Sequence, residues 1–206
     1  MNLATKLAMN LENGDMLENY VKKILSSRVY ELAQETPLTP APLLSRRLGP
    51  QVFLKREDLQ PVYSFKLRGA YNKISQLTDA QKAAGVITAS AGNHAQGVAM
   101  ASKQLGIKAI IVMGRNTPSI KVNAVKDRGA KVILHGDNYD EASIHAKLLC
   151  NEQGLTFIPP YDDAEVIAGQ GTIGLEIVNQ HNGPIDAIFI PVGGGGLLAG
   201  VAAYVT

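Results

Sequence analysis

Between residues 85 and 192 the sequence repeats one pattern: a short, continuous apolar run followed by a stretch with helical spacing. The runs fall at 85–88, 109–113, 131–135, 156–159 and 187–192, and helical segments lie around 93–105, 119–128, 138–153 and 171–180. Strands that are apolar without alternation must be covered on both faces, which predicts an α/β fold on a mostly parallel sheet. Right-handed crossovers make such a sheet doubly wound, and its ligands sit at strand carboxyl ends beside helix N-termini. Ahead of this region, residues 1–14 read as polar and poorly ordered. Leu17, Val21, Ile24, Leu25, Val29 and Leu32 then predict one amphipathic helix, ended by the prolines from Pro37 to Pro42. Residues 52–55 read as a strand and 66–77 as a helix. A last helix after Gly196 is apolar on nearly every side and should be buried, so the chain reads as the front portion of a longer protein.

Lysine plus arginine number 20 and aspartate plus glutamate 18, a net charge of +2 that gives no reason to expect nucleic acid or an anionic membrane as partner. No apolar run approaches the roughly 18 residues of a membrane span. No signal-peptide core is visible at the N-terminus, and the one cysteine, Cys150, fits a reducing compartment and a packing role; a cytoplasmic location is expected.

Three motifs carry the chemistry. In Ser64-Phe65-Lys66-Leu67-Arg68-Gly69-Ala70, a lysine follows an aromatic ring. Arg68 and Lys73 add positive charge that should lower the Lys66 pKa, and the small residues Ser64, Gly69 and Ala70 leave room for a bound ring. Ser90-Ala91-Gly92-Asn93-His94 follows a strand and opens a helix, where free N–H groups can bind a carboxylate and Asn93 can donate to a phenolic oxygen. A helix cap by Ser90 or Asn93 explains the same residues more simply, and His94 reads as structural. Gly193-Gly194-Gly195-Gly196-Leu197 follows the strongest strand, and consecutive glycines let backbone N–H groups point at a phosphate. No lysine with serine or threonine follows, so this is not a nucleotide P-loop. His135, His145 and His181 show no metal-ligand spacing, and no metal is expected. An amine, an anion cradle and a phosphate cradle on one chain suggest an aldehyde cofactor carrying a phosphate, which points to pyridoxal 5'-phosphate.

Lys55-Arg56-Glu57-Asp58, the three motifs, Leu134-His135-Gly136, Ile158-Pro159-Pro160-Tyr161-Asp162 and Val166-Ile167-Ala168-Gly169-Gln170-Gly171-Thr172 together resemble the threonine dehydratase family. These are pyridoxal phosphate lyases of the tryptophan-synthase-beta-like class, and the likeness runs from about Leu17 to the end. The resemblance implies a two-domain fold of doubly wound sheets: residues 1–74 begin the large domain, 75–162 form a small mobile domain, and 163–206 continue the large one, incomplete at the C-terminus. It implies that Lys66 forms the internal Schiff base and acts as catalytic base. Phe65 would lie against the pyridine ring and Asn93 would bond the ring oxygen. Ser90, Ala91, Gly92, Asn93 and His94 would hold the substrate carboxylate, and Gly193 to Leu197 the cofactor phosphate.

The implied reaction is β-elimination of water from L-threonine to give 2-oxobutanoate and ammonia, with serine as a secondary substrate. Lys-Arg-Glu-Asp and the helix ahead of Thr36 resemble the biosynthetic type of isoleucine formation. That type is a homo-oligomer with isoleucine as effector, bound outside this chain. Related serine racemases carry a serine where this chain has Ala91, so racemisation is not expected. Two other readings stand beside this one: a nicotinamide-binding dehydrogenase resting on the glycine loop, and a non-catalytic fragment or pseudoenzyme of the same fold.

Overall fold

The computed structural model describes residues 14–206. In chain order the elements are α1 (Gly14–Leu25), β1 (Leu38–Pro40), α2 (Pro42–Leu48), β2 (Phe53–Lys55), α3 (Lys66–Ser75), α4 (Asp79–Ala84), β3 (Val86–Ala89), α5 (Asn93–Gln104), β4 (Ala109–Met113), α6 (Ser119–Lys126), β5 (Lys131–Leu134), α7 (Tyr139–Gln153), β6 (Thr156–Phe157), α8 (Ala164–Gln180) and α9 (Gly196–Val205).

The expected α/β architecture is present. Strands β3 to β6 form one parallel sheet in the order β5-β4-β3-β6, while β1 and β2 pair antiparallel. Successive side chains of a strand face opposite ways. Val86, Ile111 and Met113 therefore pack with Val98, Ala101 and Val125 of α5 and α6, and Ile87, Ala89 and Val112 pack with Ala142 and Ala146 of α7. Both faces are covered, which makes the sheet doubly wound.

A helical layer adjoins it. α3 packs between α5 and α8, and α8 also carries α1 and α9, with Tyr20, Ile24, Ile167, Ala168, Ala199 and Ala203 buried together. The α3–α8 crossing is close enough to require glycine on both sides. A Cβ on Gly169 would stand 2.7 Å from the Gly69 Cα, and one on Gly69 would stand 2.5 Å from the Gln170 amide nitrogen.

Under this layer lies a buried ion cluster. Arg68 is fully buried and grips the Glu57 carboxylate with two hydrogen bonds of 2.7 and 2.8 Å. Its other face meets Glu176, to which Lys55 is also paired at 2.5 Å. Two cations and two carboxylates balance, as buried charges must.

Several expectations are corrected. The helix predicted from Leu17 to Leu32 stops at Leu25, and Val29–Glu31 form a separate short turn buried through Val29. α8 starts at Ala164, well ahead of residue 171, because Asp163 caps it by accepting from the Glu165 and Val166 amides. Residues 187–192 form no strand. The alternation is there, with Ile188 and Ile190 packed toward Ile173, Ile177 and Val201, and Phe189 95% exposed. Among the described residues, however, no neighbouring strand meets them, and a strand exists only through its ladder. α2 and α4 were not foreseen. Pro42 occupies the first turn of α2, where its missing N–H costs nothing, and Thr78 with Gln81 makes a capping box for α4.

Candidate active site

Strand β3 lies between β4 and β6, so the winding reverses at β3 and β6. At such a reversal the loops leaving the two strands part and open a crevice. Ser90 leaves β3 toward α5, and residues 158–163 leave β6 toward α8. The N-terminus of α3 enters from the side. A cavity of about 390 Å³ results, walled by Phe65, Lys66, Ser90, Asn93, His94 and Tyr161 among others.

The Lys66 Nζ donates to the Pro160 carbonyl at 2.6 Å and stands 5.4 Å from the centroid of the Phe65 ring and 6.0 Å from that of Tyr161. Burial lowers its pKa, favouring the neutral amine. The cause expected from sequence is corrected: Arg68 is neutralised in its cluster with Glu57 and Glu176, and Lys73 pairs with Asp163 at 2.7 Å. Desolvation alone does the work. Of the small residues, Ser64 lines the cavity, but Gly69 and Ala70 are buried in helix packing.

Gly92 occupies the cap position of α5 with no side-chain bond to the helix, so neither Ser90 nor Asn93 caps it. Ser90 Oγ instead accepts from the Gly92 N–H at 3.2 Å. Asn93 is exposed in the cavity wall, and its amide has no protein partner among the described residues.

His94 is buried, and its Nε2 faces the Ile158 carbonyl at 3.0 Å. A carbonyl only accepts, so Nε2 carries the proton and Nδ1 is left as a buried acceptor without a partner among the described residues. Burial first, and then the nearby Lys66 charge, push the His94 pKa down to about 4, although its bond to Ile158 opposes this. The low pKa favours the neutral imidazole, but the unpartnered Nδ1 departs from the satisfied structural histidine expected from sequence. Ala91 is not among the wall residues of this cavity; it lines an adjoining one of about 320 Å³ that shares Ser90 and Tyr139 with the first.

The glycine loop is not part of either cavity wall. Its four glycines have different causes. A Cβ on Gly193 would meet nothing within 4 Å, and Gly195 has a left-handed φ of 84°. A Cβ on Gly194 would lie 2.2 Å from the Tyr161 ring, and one on Gly196 would lie 2.7 Å from the Tyr161 carbonyl. Leu197 packs toward Ile173, Ile177 and Val201.

Segment 158–163 therefore touches all three motifs. Ile158 accepts from His94 and from Thr88 Oγ1, Pro160 accepts from Lys66, Tyr161 packs on the glycine loop, and Asp163 binds Lys73. Sequence reasoning used residues 158–162 only as a mark of the family resemblance and gave them no chemical role. Its position directly after a strand at the winding reversal was the available signal.

His135 and His145, read as scattered, are stacked with centroids 3.8 Å apart. Among the described residues no group of three or more metal-ligating side chains is found. Cys150 is half-buried, its thiol donating to the Leu155 carbonyl at 3.0 Å. No helix among the described residues is long and apolar enough to cross a membrane.

The cavity has the size of a small-ligand site. A desolvated primary amine, a free amide and an aromatic wall suit an aromatic aldehyde such as pyridoxal phosphate.

Comparison with known proteins gives the same chemistry. The biosynthetic threonine dehydratase of Arabidopsis thaliana chloroplasts is 59% identical over 196 residues, covering 94% of this chain and 33% of that protein. The processed form of threonine deaminase isoform 2 from Solanum lycopersicum superposes with a TM-score of 0.91 at 55% identity, over 93% of this chain and 56% of that one. Maize serine racemase superposes with a TM-score of 0.86 at 36% identity, over 91% of this chain and 56% of its own. The fold is thus tryptophan-synthase-beta-like. The chain spans about a third of the length of the curated relatives it matches. Residues 29–206 match the family model described as pyridoxal-phosphate dependent enzyme, and the chain belongs to that family.

Proposed function

We propose that this chain forms the front part of the catalytic region of a pyridoxal phosphate-dependent threonine dehydratase, which converts L-threonine to 2-oxobutanoate and ammonia. The observation that carries the proposal is the Lys66 amine, desolvated and held at 2.6 Å by Pro160 in a cavity that also presents the unpaired Asn93 amide. When bound, the cofactor supplies an aldehyde for Lys66 and a ring that accepts electrons from the substrate α-carbon.

The chain's own residues do the rest. Lys66 Nζ, whose pKa burial lowers, would hold the cofactor through its aldehyde and would take the substrate α-proton. Phe65 would cover one face of the ring and Asn93 would donate to its oxygen. Ser90 and the amides opening α5 hold the substrate carboxylate. Gly193 to Leu197 receive the phosphate. Residues 75–162 act as the small domain, between large-domain segments 1–74 and 163–206.

Serine is the secondary substrate, since it offers the same β-hydroxyl. Elimination is favoured over racemisation because the methyl group of Ala91 cannot return a proton. The matched relatives that are named biosynthetic support a place in isoleucine formation. A homo-oligomeric full-length form and isoleucine bound outside this chain complete the proposal, resting on the family resemblance, with a cytoplasmic location resting on the N-terminal composition and the single cysteine.

The test uses the full-length protein. Threonine should yield 2-oxobutanoate, and borohydride should fix the cofactor on Lys66. Loss of turnover with loss of the fixed adduct in Lys66→Ala supports the proposal. Full turnover in that variant, or an adduct still formed in it, overturns the proposal.

A further inference from the structure

We propose that Tyr161 is the positioning residue of the glycine loop, the surface against which residues 193–196 are shaped to receive the cofactor phosphate. The inference rests on the functional reading above. A Cβ built on Gly194 would fall 2.2, 2.3 and 2.5 Å from three atoms of the Tyr161 ring, so the ring lies directly over that α-carbon. A Cβ on Gly196 would fall 2.7 Å from the Tyr161 carbonyl oxygen and 3.1 Å from its Cα. One glycine of the four is therefore set by the Tyr161 ring and another by the backbone of the same residue. The left-handed Gly195 lies between them, and Gly193 has open space beside it.

Four consecutive glycines have great conformational freedom and no side chains to hold a shape. The shape must come from a neighbour, and the neighbour here is Tyr161. The residue before it, Pro160, holds the Lys66 amine. Two adjacent residues thus fix the two features that must sit at a set distance if one molecule is to bridge aldehyde and phosphate.

A merely space-filling tyrosine would affect all ligands and the fold alike. A positioning role predicts a defect greater with the phosphate than without it. The test uses full-length Tyr161→Phe, Tyr161→Ala, Gly194→Ala and the double variant. Affinities are read from the absorbance of the lysine adduct with pyridoxal phosphate and with pyridoxal, which lacks the phosphate. Hydrogen exchange of the amides at 195–197 is read with no ligand present.

Tyr161→Phe should keep the phosphate preference, because the ring is what packs. Gly194→Ala should weaken pyridoxal phosphate about tenfold and pyridoxal by less than about twofold, while Tyr161→Ala, which also opens the cavity wall, should weaken both, with the loss for pyridoxal phosphate about tenfold the larger. Gly194→Ala should add no further loss in the Tyr161→Ala background, since the new methyl then has no ring to meet. Amide exchange at 195–197 should be faster in Tyr161→Ala.

Equal losses for the two aldehydes, multiplicative losses in the double variant, or unchanged exchange would overturn the role of Tyr161. No lysine adduct with either aldehyde in the unsubstituted protein would overturn the functional reading, and with it the phosphate role; the ligand-free exchange would then still show whether Tyr161 orders the loop.

Discussion

Lys66 Nζ and the Pro160 carbonyl are 94 positions apart in the chain and 2.6 Å apart in space. The bond joins the first turn of α3 to the loop that leaves β6, and it holds the amine inside the cavity.

The first prediction concerns the charge of that amine. Burial favours neutral Lys66, so its folded pKa lies below the ordinary lysine value. Between the lowered and the ordinary value the unfolded chain binds the extra proton, so stability rises with pH across that window. Reactivity toward an amine-selective reagent should show the same ordering, with Lys66 reacting at lower pH than surface lysines. Site-resolved labelling against pH checks this, and a Lys66 profile matching that of the exposed Lys121 would contradict it.

His94 gives the opposite end of the pH scale. Its pKa is pushed down to about 4 from an ordinary 6.5. Between these values the unfolded state binds more protons than the folded state, so stability falls as the pH drops from 6.5 to 4. The loss should reach about 3 kcal/mol at one-proton linkage. Urea unfolding at stepped pH should show a flatter profile in His94→Asn.

Helix packing can be tested at Gly169. Its missing side chain lets α8 approach the Gly69 Cα and the Arg68 carbonyl, to which an added Cβ would come within 2.7 and 2.8 Å. Backbone cannot yield as a side-chain tip does, so Gly169→Ala should cost roughly 1–3 kcal/mol or more. Gly106→Ala, with open space around it, controls for the glycine substitution itself, apart from the strain of its positive φ. Equal stability of Gly169→Ala and the unsubstituted protein would show that the helices can separate cheaply.

Arg68→Lys tests the buried cluster. An ammonium cannot reproduce the fork that reaches Glu57 and Glu176 together. One or both carboxylates lose a partner out of water, at a cost of about 3–5 kcal/mol. Denaturant unfolding measures it, and a loss below about 1 kcal/mol would mean that solvent enters the cluster.

The sheet was readable because its strands are apolar runs bounded by turns; β4 falls on its expected residues. The helices α5 and α7 were readable for the same reason, since each fills a gap between two such runs. The pattern failed where structure depends on distant partners. Residues 187–192 have the composition of a strand, but composition cannot supply the strand beside it. Pro42 read as a helix breaker, although in the first turn it starts one. Of the candidate cavity's wall, Lys66, Ser90, Asn93 and His94 stood out in the sequence because they have local chemical meaning. The wall was illegible at Pro160, whose contribution is a carbonyl that every residue possesses. Gly194 and Gly196 were read as phosphate ligands, yet their lack of a side chain answers to Tyr161.

Residues 158–163 set one spacing for several contacts at once. Deleting a single residue there would move the acceptor of His94, the acceptor of Lys66 and the ring above Gly194 together, while also shifting the cap of α8. No loop elsewhere could compensate all four displacements. Length variation in this family should therefore be tolerated in turns such as the one around Gly106 and refused between Ile158 and Asp163, whatever residues fill the positions between.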